Sequence, residues 1–213
     1  MRTWLKPLLV ALLSLCVWAE PANLTPLKHQ IKEYFSSGNW EREQREVTDK
    51  CRVYLEQRLA SCPSRPALVL DVDETALTAW TEELALDFGY LPEHWVEWEK
   101  GADAPAIKPV LELYRYAREH DIAIFFVTGR KESSRPWTEK NLRSVGYADF
   151  ARVYLKPPTY LERSVVGMKM AARQDILAQG YQILANVGDQ QSDLEGGYAD
   201  ATFKLPNPIY ILP

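Results

Sequence analysis

Four short apolar runs, three of them unbroken and the fourth interrupted only by Asn186, set the tightest limit on how this chain can fold. They are Ala67–Leu70, Ile122–Val127, Val153–Leu155 and Ile183–Val187, followed by a weaker run at Ala201–Leu205. A strand that is apolar at every position has both faces buried, and such strands build parallel sheets covered on both sides. Between the runs lie apolar stripes at helical spacing. Ile107, Val110, Leu111, Tyr114 and Ala117 form one; Thr138 to Val145, stopped by Gly146, forms a second; Ser164 to Gln179, stopped by Gly180, forms a third. Buried strands alternating with helices predict the α/β class: a Rossmann-like parallel sheet with right-handed crossovers over about residues 67–213.

Two segments stand outside this alternation. Residues 20–66 read as an N-terminal helical segment. Val47, Cys51, Tyr54, Leu55 and Leu59 recur at helical spacing within a helical stretch over 24–60, and Cys62-Pro63-Ser64-Arg65-Pro66 acts as a linker. Residues 76–106 contain no strand pattern but carry Trp80, Phe88, Tyr90, Trp95 and Trp98. So long a connection after the first strand reads as a small helical cap insert. Ligands of open α/β sheets sit beyond the carboxyl ends of the strands, where this insert begins, so it is placed as a lid. Trp80, Tyr90, Trp95 and Trp98 either stack on a nucleoside or phenyl leaving group or form the cap's own small core; the second reading is favoured.

The chain start reads as a secretory signal peptide over residues 1–19. Arg2 and Lys6 precede an apolar run, Leu8 to Val17, and Val17-Trp18-Ala19 offers a cleavage site after Ala19. That order predicts a secreted or periplasmic protein. The run is too short for a membrane span, which needs ~20 apolar residues, so no stable span is expected in the mature chain. Cys16 as a lipidated start is disfavoured by the bulky Leu15 before it. The formal charge is -4, and removing residues 1–19 takes away Arg2 and Lys6 but no acid, giving -6. With no basic stripe interleaved with aromatics, a nucleic-acid partner has no electrostatic support. Any site for an anion must be built locally.

Cys51 and Cys62 are the cysteines of the expected mature chain. On one continuous helix their Cα atoms would lie roughly 16 Å apart, whereas a disulfide needs about 5.5 Å. The chain must fold back after Leu59 to join them, so the pairing stays open. No Cys/His cluster has zinc spacing, and His29, His94 and His120 are scattered.

The chemistry is concentrated where the strands end. The first run gives Asp71-Val72-Asp73-Glu74-Thr75, the second Thr128-Gly129-Arg130, and the fourth Gly188-Asp189-Gln190-Gln191-Ser192-Asp193. Lys169 lies on the helix that enters the fourth strand; Lys156, after the third, is its rival. Topology thus directs four acids, a lysine and a hydroxyl to one crevice. Crowded acids repel unless a cation sits among them. Hard oxygen ligands in partial number, with room for water and phosphate oxygen, describe Mg²⁺ better than a Ca²⁺ cage. Each element alone is weak: a DxD is often a loop cap, TGR a turn, a single lysine a solvated one. Their order and placement carry the inference.

These residues resemble the haloacid dehalogenase (HAD) superfamily, and within it the class B, class C and plant vegetative-storage acid phosphatases. The likeness extends to Thr138, Asn141-Leu142, Gly146-Tyr147, Gly180-Tyr181 and Phe203-Lys204-Leu205-Pro206-Asn207-Pro208. It implies an exported, Mg²⁺-dependent acid phosphatase acting on small phosphomonoesters through an aspartyl-phosphate. In that scheme Asp71 is the nucleophile and a metal ligand. Asp73 is the general acid and base, with its carbonyl on the metal. Asp189 is a metal ligand, and Asp193 holds a metal-bound water or orients Lys169. Thr128 and Gly129 bind phosphate, Lys169 offsets charge on the transferring group, and Thr75 braces the loop. Arg130 contacts substrate or pins the loop, with equal weight. Some plant storage members lack the first acid, but Asp71 is present here. Two alternatives stay open, a phosphotransferase and a non-catalytic storage or binding protein on the same fold.

Overall fold

A computed structural model describes residues 21–212; the targeting segment expected over residues 1–19, with Cys16, lies outside the described residues. Five strands form one parallel sheet. They are β1 (Pro66–Leu70), β2 (Ala123–Lys131), β3 (Arg152–Lys156), β4 (Gln182–Gly188) and β5 (Ala201–Lys204), in the order β3-β2-β1-β4-β5. The helices are α1 (Leu24–Ser36), α2 (Asn39–Leu59), α3 (Trp80–Ala85), α4 (Pro92–Gly101), α5 (Lys108–Glu119), α6 (Arg135–Ser144), α7 (Val166–Ala178) and the single turn α8 (Gln191–Leu194).

The two-residue period of a strand divides the apolar runs between two cores. Leu68, Leu70, Ile124 and Phe126 pack with Cys51 and Leu55 of α2, Val110 and Leu113 of α5, and Leu142 of α6. Ala67, Val69, Phe125 and Val127 face the other way, onto Met168, Ala172 and Ile176 of α7. Both faces of the sheet are therefore covered, as the unbroken apolar runs require. The chain runs outward from β1 through β2 to β3, then returns to place β4 on the other side of β1. The carboxyl ends of β1 and β4 thus form the switch point at which an α/β sheet opens a crevice.

Three boundaries differ from the sequence expectation. The helical stretch over 24–60 is two helices, broken at Gly38, whose φ of 79° is left-handed. Apolar spacing continues across the break because Phe35 and Trp40 stack on each other, ring centroids 4.7 Å apart. β2 continues past Val127 through Thr128-Gly129-Arg130 to Lys131, with its pairing to β3 shifted in register over that stretch. α6 begins at Arg135, earlier than Thr138, because Pro136 occupies its first turn, where a missing N–H costs nothing.

The insert between β1 and α5 is clasped at its base. Leu77 bridges to both Asp73 and Ala106, the Thr78 amide donates to Pro105 (3.0 Å), and the Ile107 amide donates to Ala76 (3.0 Å). α3 and α4 fill the loop so closed. On the other side, Trp80 stacks flat on Phe35 of α1 at 3.8 Å, which ties the insert to the N-terminal helices. Cys51 is buried in the sheet core while Cys62 is exposed beyond the end of α2, and both are free thiols. No helix among the described residues is long and apolar enough to cross a membrane.

Because Cys51 and Leu55 belong to the same core as the sheet, α2 is part of the structural unit. Leu55→Ala is expected to destabilise the protein by about 2–5 kcal/mol, read as a lower midpoint of chemical unfolding in one transition. A separate early transition for the N-terminal helices, with the main midpoint unchanged, would contradict this.

Candidate active site

Asp71 follows the last residue of β1, and its amide still donates to Val187 of β4 (3.0 Å), so the first acid sits on the sheet edge at the switch point. Asp189 follows the last residue of β4. Asp193 lies in α8, where it closes a capping box: the Gln190 amide donates to its Oδ2 (2.7 Å) and the Gln190 side chain caps in return. The carboxylates of Asp71, Asp189 and Asp193 are buried and place oxygens within 4.8 Å of one another.

Lys169 reaches into this group from α7. Its Nζ donates to Asp71 at 2.8 Å and also to Asp193, and the residue is 4% exposed. Burial pulls its ammonium pKa down, but the charges of Asp71 and Asp193 and their hydrogen bonds more than offset this, so the pKa stands above the ordinary lysine value. Burial raises Asp71 well above the carboxylate range; the Asp193 charge raises it further, against the opposing pull of Lys169. Asp189 is pushed up to about 6, by burial first and then by Asp193. One ammonium among three buried carboxylates leaves an excess of negative charge, and the all-oxygen donor set suits a hard divalent cation. Lys156, the rival lysine, instead lines the cavity wall and donates to the Glu162 carbonyl at 3.3 Å.

Asp73 stands apart from the triad and is gripped by Arg130. The guanidinium donates from Nε (3.0 Å) and Nη2 (2.7 Å) to the two carboxylate oxygens, an arrangement that fixes direction as well as distance. Arg130 is itself held by Thr138 (3.3 Å) and lies over the Trp98 ring. Arg130 both holds Asp73 and lines the cavity, so both roles weighed for it stay open. Thr128 is buried and its Oγ1 accepts from the Arg130 amide (3.1 Å), which shapes the turn containing Gly129.

Further residues support the site, and of these Gln190, Asn207 and Arg173 were given no role by motif reading. Asp189 accepts three donors: Thr75 Oγ1 (3.1 Å), Gln190 Nε2 (2.5 Å) and Asn207 Nδ2 (2.8 Å). Asn207 belongs to the C-terminal segment, which folds back over the site; the Leu212 amide donates to the Gln190 side chain (2.9 Å). Glu74 sits between two motif acids with a left-handed φ of 53°. Its buried carboxylate accepts from the Ala79 amide (2.6 Å) and Thr78 (3.1 Å), fastening the start of the insert to the Asp71 loop. Arg173, fully buried one turn after Lys169, donates to the carbonyls of Asp193 and Gly197 at 2.8 Å each and so holds α8 in place. The DxDET and GDxxxD patterns mark Glu74 and the acids, but a lone Asn or Arg carries no comparable signal.

These groups open on a cavity of about 520 Å³. Asp71, Asp73, Thr128, Gly129, Arg130, Lys169, Asp189 and Asp193 line its inner end, and the insert and the C-terminal segment supply the outer walls. The insert aromatics pack on one another, Tyr90 stacked on Trp95 (centroids 6.0 Å) and Trp95 edge-on to Trp98 (5.0 Å), as the favoured sequence reading expects, and the same three rings also line the cavity, with Tyr90 72% exposed.

The family model described as HAD superfamily, subfamily IIIB (acid phosphatase) matches residues 14–213. Acid phosphatase 1 of Solanum lycopersicum is 29% identical over 204 residues, 91% of this chain and 80% of that protein. A stem 31 kDa glycoprotein of Glycine max is 36% identical over 118 residues, which cover 54% of this chain and about half, 46%, of that protein. Among solved structures, the class C acid phosphatase from Bacillus anthracis superposes with a TM-score of 0.71 at 22% identity, covering 87% of this chain and 86% of that one, a likeness of fold.

The three donors on Asp189 make Asn207 testable. Partners that orient a ligating group typically contribute 10–100-fold in affinity or activity. Asn207→Ala is expected to weaken divalent-cation binding by about 10-fold or more in calorimetry, with the far-ultraviolet spectrum unchanged; unaltered affinity would remove Asn207 from the site.

Proposed function

The chain belongs to subfamily IIIB of the HAD superfamily, the acid phosphatases, and from that premise we propose that it hydrolyses small phosphomonoesters through a phosphoryl group carried transiently on Asp71. The observation that carries this reading is the position of Asp71: a buried carboxylate at the sheet's switch point, hydrogen-bonded to Lys169 (2.8 Å) and open to the cavity. Its oxygen attacks phosphorus, and the bond from phosphorus to the leaving oxygen breaks. Asp73, aimed by Arg130, gives a proton to that oxygen. In the second half Asp73 takes a proton from water, the water oxygen attacks phosphorus, and inorganic phosphate leaves with Asp71 restored. Thr128 and the Gly129 turn hold phosphoryl oxygens. Lys169 offsets charge on the attacking carboxylate and the transferring group, at no cost in reorganisation because Asp193 and Asp71 already hold it.

Mg²⁺ is the ion proposed for this site: Asp71, Asp189 and the Asp73 carbonyl would hold it, and it would supply positive charge to the phosphoryl oxygens. Asp193 serves by orienting Lys169, the second of its two expected roles. The reading extends to export, supported by the order of Arg2, Lys6, the apolar run and Ala19. A buried nucleophile paired with lysine favours catalysis over a purely storage role.

Asp71→Asn is expected to lower hydrolysis of an aryl phosphate on the order of 10³-fold or more, with the fold retained by circular dichroism. A chelator is expected to silence the wild type, and Mg²⁺ to restore it. Near-normal turnover in Asp71→Asn, or indifference to chelation, would defeat the mechanism.

A further inference from the structure

Every acid that lines the cavity has a partner except one. Asp71 and Asp193 hold Lys169, Asp73 holds Arg130, Asp189 accepts from Thr75 and Asn207, and Glu99 accepts from Ser134. Glu83, on α3, is 4% exposed and lines the same cavity, yet no side chain or amide among the described residues donates to its carboxylate. Its neighbour Glu82 shows what an ordinary acid on this helix does: it turns to the outside and meets His94 at 2.7 Å. Burial alone raises the Glu83 carboxyl to about 7, with no opposing contribution from a donor.

A carboxylate that lines a cavity and accepts from no protein donor is free to accept from a ligand bound there. The wall around Glu83 specifies the rest of that ligand. Phe88, Tyr90, Trp95 and Trp98 border the cavity from the insert, and Tyr210 borders it from the C-terminal segment. Such a wall accepts a flat apolar body. Phosphate-binding groups occupy the inner end, so what reaches the insert is the leaving group.

We propose that Glu83 is a specificity-determining residue that selects phosphomonoesters whose leaving group is an aromatic ring bearing an N–H or O–H donor. This rests on the hydrolytic reading above and deepens it: the inner end sets the reaction, and Glu83 sets which alcohol departs. A hydrogen bond to this acceptor distinguishes a donor-bearing substrate from its apolar isostere by about 10-fold or more, the range for bonds to charged groups.

The test compares kcat/KM for phenyl phosphates carrying methyl, hydroxymethyl or aminomethyl at the meta or para position, with unsubstituted phenyl phosphate as reference. Wild type is expected to favour the better-placed hydroxymethyl or aminomethyl isomer over its methyl isostere by about 10-fold or more. Glu83→Gln keeps an acceptor and is expected to keep the hydroxymethyl preference. Glu83→Met removes the acceptor at similar volume and is expected to lose the preference for both donors while hydrolysing the methyl compound at the wild-type rate. An equal fall on all substrates in Glu83→Met would make the residue structural and overturn the proposal. A wild type indifferent to the donors would overturn it too. Inhibition by inorganic phosphate reports on the inner end in each variant. No hydrolysis of phenyl phosphate by wild type would instead count against the phosphatase mechanism, which separates the two failures.

Discussion

The site depends on a single buried ammonium. Lys169 crosses from α7 to the carboxyl edge of the sheet and holds Asp71 and Asp193 together where their charges would otherwise drive them apart. Three acids buried within 4.8 Å are untenable without compensation. The lysine supplies part of it, and the remaining negative charge defines the pull on a cation. What surrounds the ammonium keeps it in place: Arg173 one helical turn further on anchors the α8 turn that carries Asp193, and the capping box at Gln190 fixes the direction of that acid.

The sheet makes this convergence inexpensive. Strands buried on both faces need helices on both sides, and the reversal between β1 and β4 leaves their carboxyl ends adjacent and uncovered. Asp71 and Asp189 each follow the last paired residue of a neighbouring strand, so the backbone fixes their spacing before any side chain contributes. Two appendages then close the crevice. The insert, clasped at Leu77 and fastened by Glu74, supplies an aromatic wall. The C-terminal segment supplies Asn207 to Asp189 and Tyr210 to the cavity lining.

Much of this was legible in the sequence, for a physical reason. Unbroken apolar runs such as Leu68-Val69-Leu70 have few other uses, and acids placed directly after them have nowhere to go but the sheet edge. Thr75, Lys169 and Asp193 were legible because they stand at motif positions of the family that the sequence resembles. The break at Gly38 was not, because aromatic stacking across it preserves the apolar rhythm. Asn207 was quoted only as part of a terminal pattern, since its contact with Asp189 spans 18 residues of chain. The insert aromatics pack on one another as expected, but that the same cluster also walls the cavity was not legible, because apolar content alone does not tell a packed core from a cavity wall. Glu83 gave no signal at all: one acid on a short amphipathic helix looks solvated until its burial and lack of a donor are seen.

The most direct test is to find where the phosphoryl group rests. Purified protein turning over an aryl phosphate is quenched in acid, digested and mapped by mass spectrometry, with borohydride reduction of a parallel sample to mark an acyl phosphate. The account predicts one phosphoryl adduct on the peptide containing Asp71, converted by borohydride to the reduced residue at that position, and none in Asp71→Asn. An adduct on another residue, or turnover with none on Asp71 under conditions that trap acyl phosphates, would contradict it.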